Sequence, residues 1–481
     1  MSTFLKNTSI YTFVYLLPQV VGFLLLPIMS RYLSPEDFGI ISSMEVLVFI
    51  LSIFIILNLD QAAYRFYFDY TDDENRRKLL GTLFVASGGT ALIFLCITFL
   101  LRPLLQQVFE SIPFFPFYVY AILACFFTSF SLIPKRYLQM TEQTKKFLWL
   151  SLSLFVIQTG LLLWFVVVRN QGAEGLLKAN LITALLFLPV YAVMGHKYFR
   201  WHFNVKVFQT AVRFAWPFIP TLLLTWVLDL SDRIFIERYS DLQELGIYAM
   251  GYKLSMVFFF IAAAFATAYA PVFYRLANAE DQKKARNQLM HYSSLTAGGY
   301  LLIVFLVALF AYDAVIVMLD ERYLRAYEVL RIIIFAQFFF AIQGVTSGLC
   351  LMQSKKTKEN MGMGFLAAVI NIVLNFALIP PFGIYGAAIA TVASFVILTV
   401  MQYHYSKRWF FIPLPWGKIG AWVLLGVGIL SLYNFWVEQW FWVSLASKLL
   451  LVGIAIAAGF VKRRELMRYI RYEPIQGFSK G

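Results

Sequence analysis

The chain has 481 residues, 60% of them hydrophobic and 14% charged, with a formal net charge of +14. A soluble chain of this size carries roughly a quarter charged residues, so a soluble globular fold is excluded. The positive charge sits in short segments between apolar blocks rather than in a basic surface stripe, which argues against a nucleic-acid partner.

The apolar blocks are about twenty residues long, the length that a hydrocarbon layer of about 30 Å demands of a helix. In chain order the predicted spans are 8–30, 38–58, 79–101, 116–133, 147–168, 176–195, 211–236, 246–270, 293–319, 328–352, 361–379, 384–405, 417–436 and 443–461. The expected fold is an all-α polytopic membrane protein of about fourteen transmembrane helices. Lys6 is followed by an apolar run that passes Ile28 without a small-residue cleavage pattern, so the first block reads as a retained span and not a signal peptide. Pro18, Pro217 and Pro220 fall inside spans and mark expected kinks.

The connections test this frame. Basic residues accumulate in cytoplasmic loops. One alternate set carries Arg65, Arg76, Arg77, Lys78, Lys135, Arg136, Lys145, Lys146, Lys197, Arg200, Lys206, Lys283, Lys284, Arg286, Lys355, Lys356 and Lys358, with a basic tail from Lys462. The opposite set holds Arg31, Arg102, Arg169, Arg238, Arg322 and Arg325. Both termini are therefore expected on the cytoplasmic side.

An internal repeat runs through the spans. Arg31-Tyr32 and Gly39-Ile40 recur as Arg238-Tyr239 and Gly246-Ile247 at an offset of 207 residues. Gly172, Gly175 and Ala179 recur as Gly383, Gly386 and Ala390 at an offset of 211. Leu138, Thr141, Thr144 and Lys145 match Leu351, Ser354, Thr357 and Lys358 at 213. Each unit holds six spans, an even number, so the repeats are parallel and related by an axis along the membrane normal. The expected division is an N-terminal lobe at 1–205, a C-terminal lobe at 206–415, and two further helices with a basic tail at 416–481, the lobes enclosing a central cavity.

Ionisable groups at membrane depth are expensive and point to function. Glu45 lies in the second span, Asp229, Asp232 and Arg233 in the seventh, Lys253 in the eighth, Asp313 in the ninth and Arg331 in the tenth. Asp229 and Arg233 are four residues apart and can pair along one helix. That pairing leaves Glu45 and Lys253 unexplained, and they call for a wet or charged cavity. Lys253, Arg233 and Arg331 are the candidates for holding a diphosphate through charge-assisted hydrogen bonds, with Glu45 and Asp229 lining the same space. Asn371 and Asn375 are one turn apart, and Thr391 faces them across Pro380-Pro381. With a carboxylate such as Asp232 they make an oxygen cage for a small cation; ordinary interhelical amide bonding is the other reading.

Cys96, Cys125 and Cys350 are scattered within apolar blocks, and His196, His202, His291 and His404 have no ligand spacing, so neither a disulfide framework nor a transition-metal site is expected.

Four segments carry a resemblance: RYLSPEDFGIIS (31–42), LNLDQAAYRFYFDY (57–70), LSDRIFIERYSDLQELGIYAMGYKLS (230–255) and LIPPFGIYGAAIATVAS (378–394). In this order within a fourteen-helix frame, the chain resembles Wzx-type polysaccharide flippases of the superfamily of multidrug, oligosaccharidyl-lipid and polysaccharide exporters. The resemblance implies a V-shaped pair of lobes working by alternating access in the bacterial cytoplasmic (inner) membrane. The implied substrate is a polyprenyl-pyrophosphate-linked oligosaccharide, moved to the outer leaflet for O-antigen, capsule or exopolysaccharide synthesis, with a polysaccharide polymerase as a possible partner. No cofactor is implied beyond Na+ or H+ as a coupling ion. Related lipid II flippases build a sodium site from an Asp of helix 7, two polar residues of helix 11 and a Thr of helix 12, which Asp232, Asn371, Asn375 and Thr391 match. Asn375 is neutral where that relative is acidic. The first span has Gln19 in place of that relative's cavity arginine, which argues against a peptidoglycan precursor. Two alternatives stand beside this reading: a multidrug exporter of the same superfamily, and a membrane glycosyltransferase or polymerase. The second needs sizeable outer loops with catalytic residues, whereas the longest here, 102–115, has Glu110 as its only acid.

Overall fold

In hydrocarbon, every backbone N–H and C=O must be satisfied within the protein, and a helix does this segment by segment. A computed structural model describes residues 2–412 and most of 414–428; the two C-terminal spans expected at 417–436 and 443–461 lie wholly or largely outside the described residues. Among those described, the first twelve expected spans each have a helical counterpart.

The first is α1, Ser2–Leu24 continuing as Leu26–Tyr32 across a 45° bend. Then come α2 (Pro35–Ile56), α3 (Asp73–Leu100), α4 (Phe114–Met140), α5 (Thr144–Val168) and α6 (Gly172–Tyr198). The seventh, α7, is Val205–Ala215 and Phe218–Leu230, bent by 43°, followed past Ser231 by Asp232–Tyr239. The bend falls at Trp216-Pro217, where a ring without an N–H interrupts the ladder; Pro220 sits in the first turn after it. Next are α8 (Leu242–Ala277), α9 (Gln282–Leu309, extended by Ala311–Met318) and α10 (Ala326–Gln353). Residues 357–382 form α11 and 384–406 form α12, separated by Gly383 at φ 54°, ψ −134°, a conformation that a side chain disfavours.

The segment after α1 shows how local sequence sets the frame. Ser34 caps α2 by accepting from the Asp37 N–H, and Asp37 Oδ2 accepts in return from the Ser34 N–H at 2.9 Å. The other Asp37 oxygen accepts from the Ala173 N–H at 2.7 Å, so one carboxylate fixes the starts of α2 and α6 together.

Helices α1–α6 pack mainly among themselves, as do α7–α12, and the broadest contact between the halves is α2 against α8. Polar contacts between the halves gather at the end bearing few basic residues, and they are reciprocal. A Cβ on Gly39 would lie 2.0 Å from the Leu242 carbonyl oxygen, and one on Gly246 would lie 1.8 Å from the Pro35 carbonyl oxygen. Gly39 and Gly246 are repeat partners, and Pro35 and Leu242 share their offset of 207. The loop after α9 reaches across to donate the Asp320 N–H to Ser30 Oγ at 3.1 Å. The loop after α3 reaches the other way, donating the Ser111 N–H to Glu237 Oε1 at 2.9 Å. Ser30 and Glu237 again differ by 207. Arg322 adds bonds to the carbonyls of Ser30 and Arg31, and the Tyr323 hydroxyl donates to Leu33 O. Such cross-matching is what two halves related by a repeat produce, and it closes that end of the molecule.

Candidate functional site

Moving inward from the closed end, the α2–α8 seam passes from glycine contacts to charge. Glu45 on α2 and Lys253 on α8 form an ion pair at 3.0 Å. Both side chains remain partly open to solvent, at 44% and 29%, so the bond has not withdrawn them from a ligand. The Lys253 ammonium also lies 5.6 Å from the Phe38 ring centre. Trp226 of α7 donates to the Val46 carbonyl at 3.2 Å and ties a third helix to the seam.

Arg233 is buried at 4% exposure, with its guanidinium 5.6 Å from the centre of the Tyr252 ring. Its Nε and Nη1 have no hydrogen-bond partner. The pairing with Asp229 that spacing allows does not form among the described residues. Ser231 between them keeps helical dihedrals, φ −68° and ψ −27°, so the backbone permits the pair; the Arg233 guanidinium instead lies against the Tyr252 ring. Arg233 is close enough to act electrostatically on Glu45, Asp229 and Asp232. The structure thus brings together five of the ionisable groups singled out in the sequence: Glu45, Asp229, Asp232, Arg233 and Lys253. Arg331 is placed elsewhere. It packs between α9 and α10, donating to the Ala308 carbonyl at 3.1 Å and lying 4.7 Å from the Tyr327 ring centre. One turn into α10, its long side chain reaches the neighbouring helix of its own half before any shared cavity.

Beside this cluster lies an oxygen-rich set between α7, α11 and α12. Asp232, Asn371, Asn375 and Thr391 are all buried. Asn371 Oδ1 accepts from Asn375 Nδ2 at 3.0 Å and from Ser231 Oγ at 3.4 Å, while Asn371 Nδ2 donates to Ser394 Oγ at 3.2 Å. The Tyr248 hydroxyl donates to Asp232 Oδ2, and Thr391 is near enough to act on the same carboxylate. Asp232 Oδ1 and Asn375 Oδ1 are left without donors. Interhelical amide bonding therefore accounts for Asn371 but not for these two oxygens. Buried acceptors lacking donors fit a small hard cation. Among the described residues no cluster of His, Cys, Asp and Glu fits a metal ion.

Tyr248, Tyr252, Ser231 and Ser394 were not singled out from the sequence. Tyr248, Tyr252 and the ion-pairing Lys253 share one stretch of α8, and Ser394 follows Thr391 by three residues on α12. That helical spacing beside candidate residues was the available signal.

The halves of the helical bundle meet at a seam that carries paired and unpaired charges among apolar helices. The family model described as polysaccharide biosynthesis protein matches residues 28–328, and the chain belongs to that family. An Lsg locus protein of Haemophilus influenzae is 28% identical over 295 residues, covering 60% of this chain and 69% of that one. The capsular polysaccharide biosynthesis protein CapF of Staphylococcus aureus is 20% identical over 429 residues, covering 84% and 100%. Among solved structures, the lipid II flippase MurJ in an inward closed conformation superposes with a TM-score of 0.72 at 15% identity, covering 96% of this chain and 100% of that one. The last comparison establishes the fold: the all-helical two-lobe architecture expected from the repeat.

Proposed function

We propose that the protein is a flippase that carries polyprenyl-diphosphate-linked oligosaccharide units from the cytoplasmic to the outer leaflet, without chemistry on the substrate. The observation that carries this reading is the charged seam, in which Lys253 and Arg233, the latter with two nitrogens lacking acceptors, lie just inside a reciprocal closure of the halves. With the basic connections on the cytoplasmic side, the closed end faces outward and the seam receives substrate from within. The diphosphate would be drawn by Lys253 and Arg233 while the polyprenyl tail stays in the bilayer, and Glu45 would release Lys253 as the phosphate arrives. The family membership and the names of the capsular relative and of MurJ support the same substrate class.

Cation coupling follows from the charge balance. Glu45, Asp229 and Asp232 oppose Lys253 and Arg233, which leaves the cluster one negative charge in excess when all are ionised. A sodium ion or a proton at Asp232, with Asn371, Asn375 and Thr391 supplying oxygen or hydroxyl contacts, would cancel that excess and favour the anionic substrate. Once that excess is cancelled, a cationic drug, the cargo of the exporter alternative, would find no net negative charge to hold it beside Lys253 and Arg233. The test is direct binding to the purified protein by native mass spectrometry. Polyprenyl-diphosphate oligosaccharide should be retained and weakened at least tenfold by Lys253→Gln, and cationic dyes should not compete. Tight dye binding that is unaffected by lipid-linked oligosaccharide would overturn the reading.

A further inference from the structure

Lys135 reads in the sequence as one more basic loop residue. The structure instead places it on the helical stretch Leu132–Met140, inside the N-terminal half. There it lines two adjoining cavities of about 300 and 320 Å3, both of which Gln158 of α5 also lines. The nearby acid is already taken: Asp60 Oδ2 accepts from Arg136 Nε at 2.9 Å and Nη2 at 2.8 Å. The third nitrogen of Arg136 donates to Gln139 at 3.0 Å. Asp60 and Arg136 therefore cancel. The Lys135 ammonium takes part in no ion pair or side-chain hydrogen bond among the described residues, and the chamber keeps one positive charge.

The neutral groups around it are also donors in search of acceptors. Tyr191 of α6 is buried at 2% exposure, and its hydroxyl sits beside Ser131 without a hydrogen bond of good geometry. Gln158 Nε2 donates to Asn180 Oδ1 at 2.9 Å, which leaves the Asn180 amide hydrogens for another acceptor. An unpaired charge inside a membrane protein is costly unless something neutralises it. An ammonium, a phenolic O–H and an amide N–H, without a free acid among them, call for an anion.

We propose that the N-terminal half holds one small monovalent anion of chloride size, seated on Lys135 in the chamber between α4, α5 and α6. Monovalence follows from the single uncancelled charge. Small size follows from the chamber: its walls are mostly apolar surface, and the hydroxyls among them, such as Ser131 and Thr183, are too few to solvate the multiple oxygens of phosphate. The site shares no residue with the seam of Glu45, Lys253 and Arg233, so it stands or falls apart from the flippase reading.

The test is the melting temperature of the purified full chain at constant sodium and ionic strength, with chloride, bromide, phosphate or gluconate as the anion. Chloride and bromide should raise the melting temperature over gluconate in a saturable way. Lys135→Gln should abolish that response and raise the melting temperature in gluconate, because it removes an uncompensated charge. Lys135→Arg should keep the halide response, and Tyr191→Phe should raise the half-saturating chloride concentration several-fold. The last two variants keep the test open if Lys135→Gln fails to fold. Equal melting in chloride and gluconate for the unmodified protein overturns the proposal. So does a halide response undiminished in Lys135→Gln, or a response to phosphate alone.

Discussion

At the residue scale, Lys253 and Arg233 differ in what they have to lose. Lys253 already has a partner in Glu45 at 3.0 Å, so neutralising it also strands a carboxylate. Lys253→Gln is expected to reduce surface polysaccharide at least tenfold while the amount of protein in the membrane is unchanged. Normal polymer with that variant would remove Lys253 from the transport path. Arg233 presents a planar fork with two idle nitrogens. Arg233→Lys keeps the charge and loses the fork; a deficit close to that of Arg233→Gln would show that two-pronged geometry matters, and near-normal transport that charge alone does. Asp37 is a structural counterpart. It serves the α2 cap and the α6 start at once, and Asp37→Ala is expected to cost about 1–2 kcal/mol, as the loss of a helix cap does, read as a lower melting temperature.

At the element scale, the decisive feature is the crossing of α2 and α8. Helices approach this closely in membranes only where small residues face one another, and Gly39 and Gly246 leave no room for even one methyl group. Gly246→Ala should push the closed ends of α2 and α8 apart. Ser30 is fully buried beneath this closure, which makes it a reporter. A Ser30→Cys variant should react several-fold faster with a membrane-impermeant maleimide when Gly246→Ala is added. An unchanged labelling rate would mean that the glycine contact does not hold the end shut. The repeat of Gly39 as Gly246 was visible in the sequence. That each repeat's glycine presses on the other's backbone was not, because an offset of 207 says nothing about which surfaces meet.

At the scale of the whole molecule, coupling requires that an ion bind one conformation more tightly than another. Asp232 belongs to α7, its Tyr248 partner to α8 at the seam, and the amides to α11. An ion bound at Asp232 would therefore be felt by the helix that closes the α2–α8 end. Sodium is expected to raise the melting temperature more than potassium at equal ionic strength; Asn375→Ala should abolish the difference and Asn375→Asp enlarge it. Equal melting in both salts would remove the sodium site and leave proton coupling through Asp232 or Asp229 as the alternative.

The apolar block lengths, the alternation of loop charge and the repeat determined the helical frame, because a bilayer imposes length, saturation of backbone bonds and charge sidedness on any chain that crosses it. They also exposed Glu45, Asp229, Asp232, Arg233 and Lys253, since a charge is conspicuous among Leu, Ile and Phe. What one-dimensional spacing could not weigh was the neighbourhood of each group. Tertiary structure decided that Arg331 turns into its own half, that Arg233 lies against Tyr252 and not on Asp229, that Tyr248 joins Asp232, and that Lys135 lies in a chamber inside its half. Each of those outcomes depends on where a side chain's reach ends and which neighbouring helix stands there, and helix packing alone sets that.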